Sequence, residues 1–284
     1  MEIFILITAV ISRIFANSLS NVFQKKLACC GENPIKVNFI NYLIPAIACI
    51  PCLFFIDYAQ FSCIFWKYAF LCGITGALCN SFMVLALKYG ELSVLGPINS
   101  YKAIIGLIFG IFLLHEIPNI YGLFGMGLII AGTYFIFDSP KEIFTKSVMY
   151  RFLALFFSAI ESVLIKKVIL LSSISVSFII SAIFGAIFSY LIVKIFSKEK
   201  VEFPAKSQRI IYLLTAGCFV LMTFSTAFVF KNMNVGYALS LFQLSVIINV
   251  VLGYKLFKEK NIIKKLLGSL IILIGSAIIF IYGR

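Results

Sequence analysis

Three charged residues lie in the middle of long apolar stretches of this sequence. Arg13, Lys102 and Glu161 each stand near the centre of a run of roughly 20 mostly apolar residues, the length that crosses a bilayer. Because a charge at the bilayer centre costs roughly 3 kcal/mol, such residues usually serve a substrate, an ion or a proton path. Two cations against one anion favour a ligand with a carboxylate or phosphate group, which Arg13 could hold through paired hydrogen bonds. Glu161 would then meet an amino group or carry a coupling proton.

Uncharged polar residues share helical faces with these three charges. Asn17 and Asn21 follow Arg13 at intervals of four residues, which keeps all three on one side of a helix. A second interpretation stays open, in which Glu161 forms a buried ion pair with Lys102 or Arg13 that only locks helices together. The predicted substrate-binding set is Arg13, Asn17, Asn21, Asn80, Asn99, Lys102, Glu161, Ser245 and Asn249.

The composition excludes a soluble domain. Of the 284 residues, 62% are hydrophobic and 12% are charged, which leaves too few charged side chains to cover a core of that size. Only helices satisfy their own backbone in lipid, and no segment alternates like a barrel strand, so we expect an all-α, multi-pass protein of the cell (inner) membrane. Ten transmembrane spans are predicted, at 3–24, 36–56, 67–87, 93–114, 118–137, 149–170, 174–196, 210–230, 236–256 and 262–282.

The two halves of the sequence repeat each other. Moving the segment 88–136 along by 143 positions places Glu116 on Glu259 and Gly132 on Gly275. Five spans per half is an odd number, so the second copy starts on the opposite side of the membrane and the fold is two inverted five-helix repeats. Such repeats are typical of secondary transporters, which hold the substrate between their halves. The predicted units are an N-terminal repeat at 1–137, a connecting loop at 138–148 and a C-terminal repeat at 149–284.

Glycines and prolines indicate where helices pack and bend. Gly125 and Gly132 share a face of span 5, and this spacing recurs on span 10, so the two spans are expected to pack closely. Pro45 and Pro51 remove backbone donors from span 2, which we interpret as a gating element, although prolines are also ordinary in membrane helices. The predicted packing residues are Gly125, Gly132, Gly268 and Gly275.

Two glutamates at equivalent positions are predicted to be structural. Glu116 and Glu259 lie at the junctions that precede spans 5 and 10. At the start of those helices a carboxylate would interact favourably with the helix dipole.

Two segments carry a family resemblance. GIFLLHEIPNIYGLFGMGLIIAGTYFI and GYKLFKEKNIIKKLLGSLIILIGSAIIFI each contain a glycine, a glutamate six residues later, and two glycines nine and sixteen residues beyond that. They resemble the two halves of the drug/metabolite transporter superfamily, above all its ten-helix EamA-type branch. The resemblance covers the whole chain and implies a transporter with a central substrate cavity walled by helices 1, 3, 4, 6, 8 and 9. It does not specify the substrate, because similar proteins carry amino acids, nucleotide sugars, phosphorylated sugars, choline, nucleosides, S-adenosylmethionine or drugs.

Two orientations remain open. Most loop lysines and arginines follow the odd-numbered spans, which by the positive-inside rule puts those loops in the cytoplasm and both termini outside it. The family resemblance implies the reverse, with both termini in the cytoplasm.

The sequence therefore predicts a secondary active transporter, not an enzyme, that moves a small anionic or zwitterionic metabolite by alternating access. A drug or lipid flippase or exporter of the same fold is the alternative. A membrane-embedded transferase is a distant one, because no catalytic acid, base or metal motif is present. No cofactor, metal ion or nucleic acid is expected. The expected partners are the substrate, a coupling proton or counter-substrate, and the lipid bilayer.

Overall fold

In the computed structural model, the described residues are 2–102, 104–105, 119–137, 144–197, 204–232 and 235–282, and they form helices and no strand. The predicted all-α fold is thereby confirmed. A short 3₁₀ helix, Tyr58–Gln60, lies between the second and third α-helices. The α-helices are α1 (Glu2–Cys29), α2 (Pro34–Leu53), α3 (Cys63–Tyr89), α4 (Leu92–Ile98), α5 (Ile120–Ile136), α6 (Lys146–Leu170), α7 (Ile174–Phe196), α8 (Arg209–Asn232), α9 (Val235–Phe242), α10 (Ser245–Phe257) and α11 (Ile262–Tyr282).

The outer surface of these helices is apolar. By length and composition, α1, α2, α3, α7 and α8 are long and apolar enough to cross a bilayer. Ile11 and Phe15, on the outer face of α1, are 50% and 53% exposed, while Arg13 between them is buried. An apolar exterior around polar residues is the arrangement that lipid requires.

Spans 4 and 9, each predicted as one apolar segment, both contain a short turn with 3₁₀-type hydrogen bonds. The first part of span 4 ends where Asn99 and Ser100 donate to carbonyls three residues back. Span 9 consists of α9 and α10, separated by Gln243 and Leu244, and Leu244 also bonds to a carbonyl three residues back. Average hydropathy does not report a local tightening of the helix to 3₁₀ bonding, so the sequence could not reveal it.

The two interruptions meet on the axis that relates the repeats. Ser100 and Gln243 are 143 positions apart and therefore equivalent. Ser100 Oγ donates a hydrogen bond to Gln243 Oε1 at 3.1 Å. Equivalent residues of two copies touch only where the twofold axis passes between them, so this pair marks the axis of the inverted repeat.

The glycines predicted to pack lie between α5 and α11. A Cβ atom on Gly132 would be 2.8 Å from the carbonyl oxygen of Gly268, and one on Gly275 would be 2.7 Å from the carbonyl oxygen of Gly125. Gly132 and Gly275 are equivalent positions of the two repeats, and so are Gly125 and Gly268. The two contacts are therefore equivalent to each other, as the inverted repeat requires. Side chains at these positions would force the two helices apart.

The other helices also interlock across the repeats. α1 of the first repeat packs on α8 of the second, and α3 packs on α6 in the equivalent way. The two halves therefore share one interior, and the polar residues of that interior form the site. Gly106, Gly110, Glu116 and part of the connecting loop (138–143) lie outside the described residues.

Candidate functional site

A central cavity lies between the two repeats. It is bordered by α1, α2, α3, α6, α7, α8, α9, α10 and, in span 4, by Asn99 and Lys102 at and after the interruption. Its volume is about 140 Å³. On the same measure, one water molecule needs roughly 10–15 Å³. The cavity therefore admits several waters or a small metabolite. All predicted substrate-binding residues border it: Arg13, Asn17, Asn21, Asn80, Asn99, Lys102, Glu161, Ser245 and Asn249. That they bind a substrate stays a prediction.

Arg13 reaches this cavity from α1 with free hydrogen-bond donors. Its side chain is 9% exposed, and Nε and Nη1 are buried without a partner among the described residues. The guanidinium carbon lies 4.3 Å from the centre of the Phe242 ring. An aromatic face stabilises a cation but accepts none of its in-plane donors. Because leaving buried charged donors unpaired is costly, Arg13 is suited to an anionic ligand.

Lys102 and Glu161 border the same cavity but do not pair. Lys102 is buried, Glu161 is partly buried, and within the described ranges no ion pair joins Glu161 to Lys102 or to Arg13. Lys102 interacts with Glu161 and Arg13 only through longer-range electrostatics. The interpretation of these charges as a helix-locking ion pair therefore does not hold in this structure.

The carboxylate of Glu161 lies in a notch on α3. A Cβ atom on Gly76 would be 2.7 Å from Glu161 Oε1 and 3.0 Å from the hydroxyl oxygen of Tyr42, so both oxygens border one point. Asn80 Nδ2 donates to the Tyr42 hydroxyl oxygen at 2.9 Å. The phenol hydrogen is not used in this bond, and the Glu161 carboxylate is an acceptor in its neighbourhood.

Arg151 is a cavity residue that the sequence analysis missed. It is 7% exposed on α6, and its Nε donates to the Leu95 carbonyl oxygen at 3.0 Å. Its Nη2 donates to Asn99 Oδ1 at 2.8 Å, and its Nη1 lies 2.9 Å from Met83 Sδ. Leu95 would bond to Asn99 N in a regular helix, but Asn99 N bonds to Gly96 O instead. Arg151 thus satisfies the carbonyl that the interruption of span 4 sets free.

A spacing in the sequence could have revealed Arg151. It stands seven residues before Ser158 and eleven before Ser162, so all three lie on one helical face. Its position near the start of span 6 suggested the membrane surface instead. The interruption of span 4, which draws Arg151 inwards, is not visible in the sequence.

The uncharged residues at the interruption of span 9 are also satisfied by neighbours. Gln243 Nε2 donates to the Leu239 carbonyl oxygen at 3.1 Å, and Asn99 Nδ2 lies 3.4 Å from Gln243 Oε1. Ser245 Oγ donates to the Phe242 carbonyl oxygen at 2.7 Å. These bonds hold both interruptions in a defined geometry.

Asn249 borders the cavity and has one polar atom without a partner among the described residues. It packs against Gly96, where a Cβ atom would be 2.8 Å from its own Cβ. Its Oδ1 is buried and has no partner in the described part of the chain. A side-chain amide with a free acceptor can orient a donor group of a ligand.

The cavity carries excess positive charge. Among its described lining residues, the cations are Arg13, Lys102 and Arg151, and the one carboxylate is Glu161. When all are ionised, two positive charges are uncompensated, one more than the sequence predicted, because Arg151 was not counted. Arg151 already donates to Leu95 and Asn99, so Arg13 and Lys102 are the cations that remain for a ligand.

Glu259 acts on a different helix from the one predicted. Its carboxylate accepts hydrogen bonds from Leu92 N and Ser93 N, both at 2.8 Å, and from Lys25 Nζ at 2.6 Å. It therefore caps the N-terminus of α4, in the other repeat, rather than the start of α11. The prediction used only the nearest helix in sequence, whereas the inverted repeat brings α4 to the same place. We call Lys25, Glu259, Leu92 and Ser93 the inter-repeat node.

The inter-repeat node perturbs the titration of its carboxylate. Burial alone would raise the pKa of Glu259, but the hydrogen bonds from Lys25 and Ser93 and the Lys25 charge outweigh it and hold this pKa below its ordinary value. Next to the node, Lys265 pairs with Glu91 and donates to Ser93 Oγ at 2.8 Å. This end of the molecule is therefore held by charges from both repeats.

The two prolines of α2 lie away from the cavity lining. α2 continues through both, with Pro45 buried and Pro51 exposed, and neither borders the cavity. Their role as a gate stays a prediction. No group of three metal-ligating side chains occurs among the residues that the structure describes.

The fold and the cavity define a multi-pass integral membrane protein built from two inverted repeats. The profile of the EamA-like transporter family matches residues 3–138 and, a second time, residues 145–281. The chain therefore belongs to the EamA-like transporter family and is a membrane transporter, which confirms the family and the two repeats predicted from the sequence.

Comparison with solved structures agrees on the fold. A chain described as "Crystal structure of protein" superposes with a TM-score of 0.66 at 14% identity, over 98% of this chain and 96% of that one. At this identity the likeness shows the fold alone. No curated protein matches the chain.

Proposed function

We propose that this transporter is a secondary active carrier that moves a small anionic or zwitterionic metabolite by alternating access through the central cavity. The expected substrates are amino acids, nucleotides or phosphorylated metabolites, and the expected location is the cell (inner) membrane. The single observation that carries the proposal is the buried guanidinium of Arg13, whose Nε and Nη1 have no partner among the described residues. A carboxylate or phosphate would satisfy these donors.

The position of the site supports alternating access. The cavity lies where the repeats meet, and the interruptions of spans 4 and 9 border it through Asn99, Phe242 and Ser245. Inverted-repeat carriers bind their substrates at such interrupted helices and expose them alternately to each side as the halves rock. The same design does not require a catalytic group, so we propose no enzymatic activity.

The charge balance does not favour the export of cationic drugs. A drug cation would need an acidic cavity, whereas Glu161 is outnumbered by Arg13, Lys102 and Arg151. A zwitterion remains compatible, because its amino group could lie near Glu161 while its acidic group meets Arg13.

A binding and exchange experiment tests the proposal. Purified protein is screened by thermal shift against L-glutamate, glucose 6-phosphate, UDP-glucose and a wider panel of amino acids and phosphorylated metabolites. Compounds that raise Tm are then tested for exchange in proteoliposomes. Arg13→Gln and Lys102→Gln are each expected to raise KM by about 30-fold or more, because each removes a buried partner of the anion.

The matched control is Arg209→Gln. Arg209 is exposed at the start of α8, so its removal changes the net charge equally but leaves the cavity intact. It is expected to transport like the wild type. Normal transport by both cavity variants would refute the anion site, and selective binding of organic cations would favour the drug exporter instead.

A further inference from the structure

We propose that Glu161 is the proton-binding site of a proton–anion symport, in which the anion loads when Glu161 carries a proton. This inference rests on the proposed function and adds the coupling ion and the direction of coupling to it. It is carried by the geometry of the Glu161 carboxylate and by the charges that share its cavity.

The Glu161 carboxylate is placed to exchange a proton. It is partly buried on the cavity lining and has no ion pair in the described part of the chain. Gly76 makes room for its Oε1 beside the Tyr42 hydroxyl, and Asn80 donates to that hydroxyl oxygen. The phenol can therefore turn its hydrogen towards a charged carboxylate and turn it away again when the carboxylate is protonated.

Among the described residues, Glu161 is the one carboxylic acid that borders the cavity. Its ionisable neighbours are Tyr42 on α2, Cys72 and Cys79 on α3, Lys102 in span 4 and Arg13 on α1. α7, α8, α9 and α10 contribute no ionisable side chain to the described lining. Arg151, on the same helix as Glu161, already donates to the interruption of span 4.

The sign of the coupling follows from these charges. Protonation of Glu161 removes the negative charge that would repel an anion held by Arg13 and Lys102. Because linkage is reciprocal, a bound anion favours the protonated form of Glu161 by the same factor. For charges about 10 Å apart at an effective dielectric constant of about 20, that factor is on the order of tenfold. Proton and anion therefore bind together and cross together.

The experiment separates coupling from transport. Proteoliposomes are loaded with glucose 6-phosphate, or with another compound of the panel that raises Tm and has no amino group, and exchange of the labelled compound is measured without a gradient. Accumulation is then measured with the outside acidified. The wild type is expected to show both activities. Glu161→Gln imitates the protonated acid, so it is expected to lose proton-driven accumulation and to bind the anion on the order of tenfold more tightly at alkaline pH.

Glu32→Gln is the control, because Glu32 lies outside the cavity and pairs with Lys36. It is expected to accumulate substrate normally. Accumulation by Glu161→Gln would overturn the proposal, and so would weaker binding of the anion by this variant, since Glu161 would then act as a substrate ligand. If the wild type exchanges no compound of the panel, the proposed function itself fails. If it exchanges without accumulating, only the symport fails.

Tyr42→Phe provides a second test, which also applies if Glu161→Gln does not fold. Tyr42→Phe removes the polar hydroxyl that lies with the Glu161 carboxylate beside Gly76, so Glu161 is expected to be protonated at higher pH. The pH of half-maximal uptake is therefore expected to move upwards. An unchanged or lowered midpoint would contradict the assignment.

Discussion

Replacing Glu259 by glutamine tests the inter-repeat node. The Glu259 carboxylate forms an ion pair with Lys25 and accepts hydrogen bonds from two backbone amides of α4. The Glu259 and Lys25 side chains are only 4% and 8% exposed. Removing one partner of a buried ion pair costs about 3–5 kcal/mol. Glutamine keeps one oxygen that can accept from the N-terminal amides of α4, so we expect a loss of folding stability near the lower limit, about 3 kcal/mol.

Thermal unfolding in a mild detergent measures this loss. At roughly 2–4 °C per kcal/mol, the Tm of Glu259→Gln should fall by roughly 6–12 °C. The control is Asp57→Asn, an exposed acid whose side chain accepts a hydrogen bond from Ala59 N, and it should change stability by less than about 0.5 kcal/mol.

A double-mutant cycle isolates the ion pair from the rest of the node. Lys25→Met removes the cation but leaves the two amides of α4 on Glu259. The double variant should be less destabilised than the sum of the single variants, by about 2 kcal/mol. Additivity within about 0.5 kcal/mol would refute the view that Lys25 and Glu259 stabilise each other.

The remaining predictions concern acid, helix packing and Arg151. The pKa of Glu259 is lower in the folded protein than its ordinary value of 4.5. The stability that Glu259 contributes is therefore fully present above pH 4.5 and is lost as the pH falls through the folded-state pKa. Below pH 4.5, the Tm of the wild type should fall more steeply than the Tm of Glu259→Gln. Gly132→Ala should cost about 1–3 kcal/mol because its methyl group would lie 2.8 Å from a carbonyl oxygen, whereas Gly127→Ala, with nothing within 4 Å, should be neutral or stabilising; equal Tm values would contradict this. Arg151→Lys keeps the charge but cannot serve the Leu95 carbonyl and Asn99 together, so a loss of about 1–3 kcal/mol is expected, and a wild-type Tm would refute the role of the planar guanidinium.

The sequence was sufficient to predict the location of a residue where a physical constraint acts on that residue by itself. A charge at mid-membrane must face a polar interior, which is why Arg13, Lys102 and Glu161 could be assigned to one cavity before its shape was known. Periodicity then added Asn17 and Asn21 on the face of Arg13, and the spacing of Gly125 and Gly132 placed α5 against α11.

The sequence was not sufficient to predict the role of a residue whose hydrogen-bond partner is far away in the chain. Arg151 looks like a residue of the membrane surface until the interruption of span 4 frees the Leu95 carbonyl beside it. Glu259 looks like the cap of the helix that follows it, but its carboxylate instead accepts from Lys25 and from the first amides of α4, both in the other repeat. In both cases, a contact between the repeats decided the role.

The hydrogen bond between Ser100 and Gln243 bears on the history of the chain. In a dimer of two identical five-helix proteins, a residue on the symmetry axis faces a copy of itself, so both sides must carry the same side chain. A hydroxyl donor opposite an amide acceptor breaks that identity. Once duplication joined the copies into one polypeptide, the residue on each side of the axis could change independently. Ser100 and Gln243 show that the two halves now carry different side chains even at the axis itself.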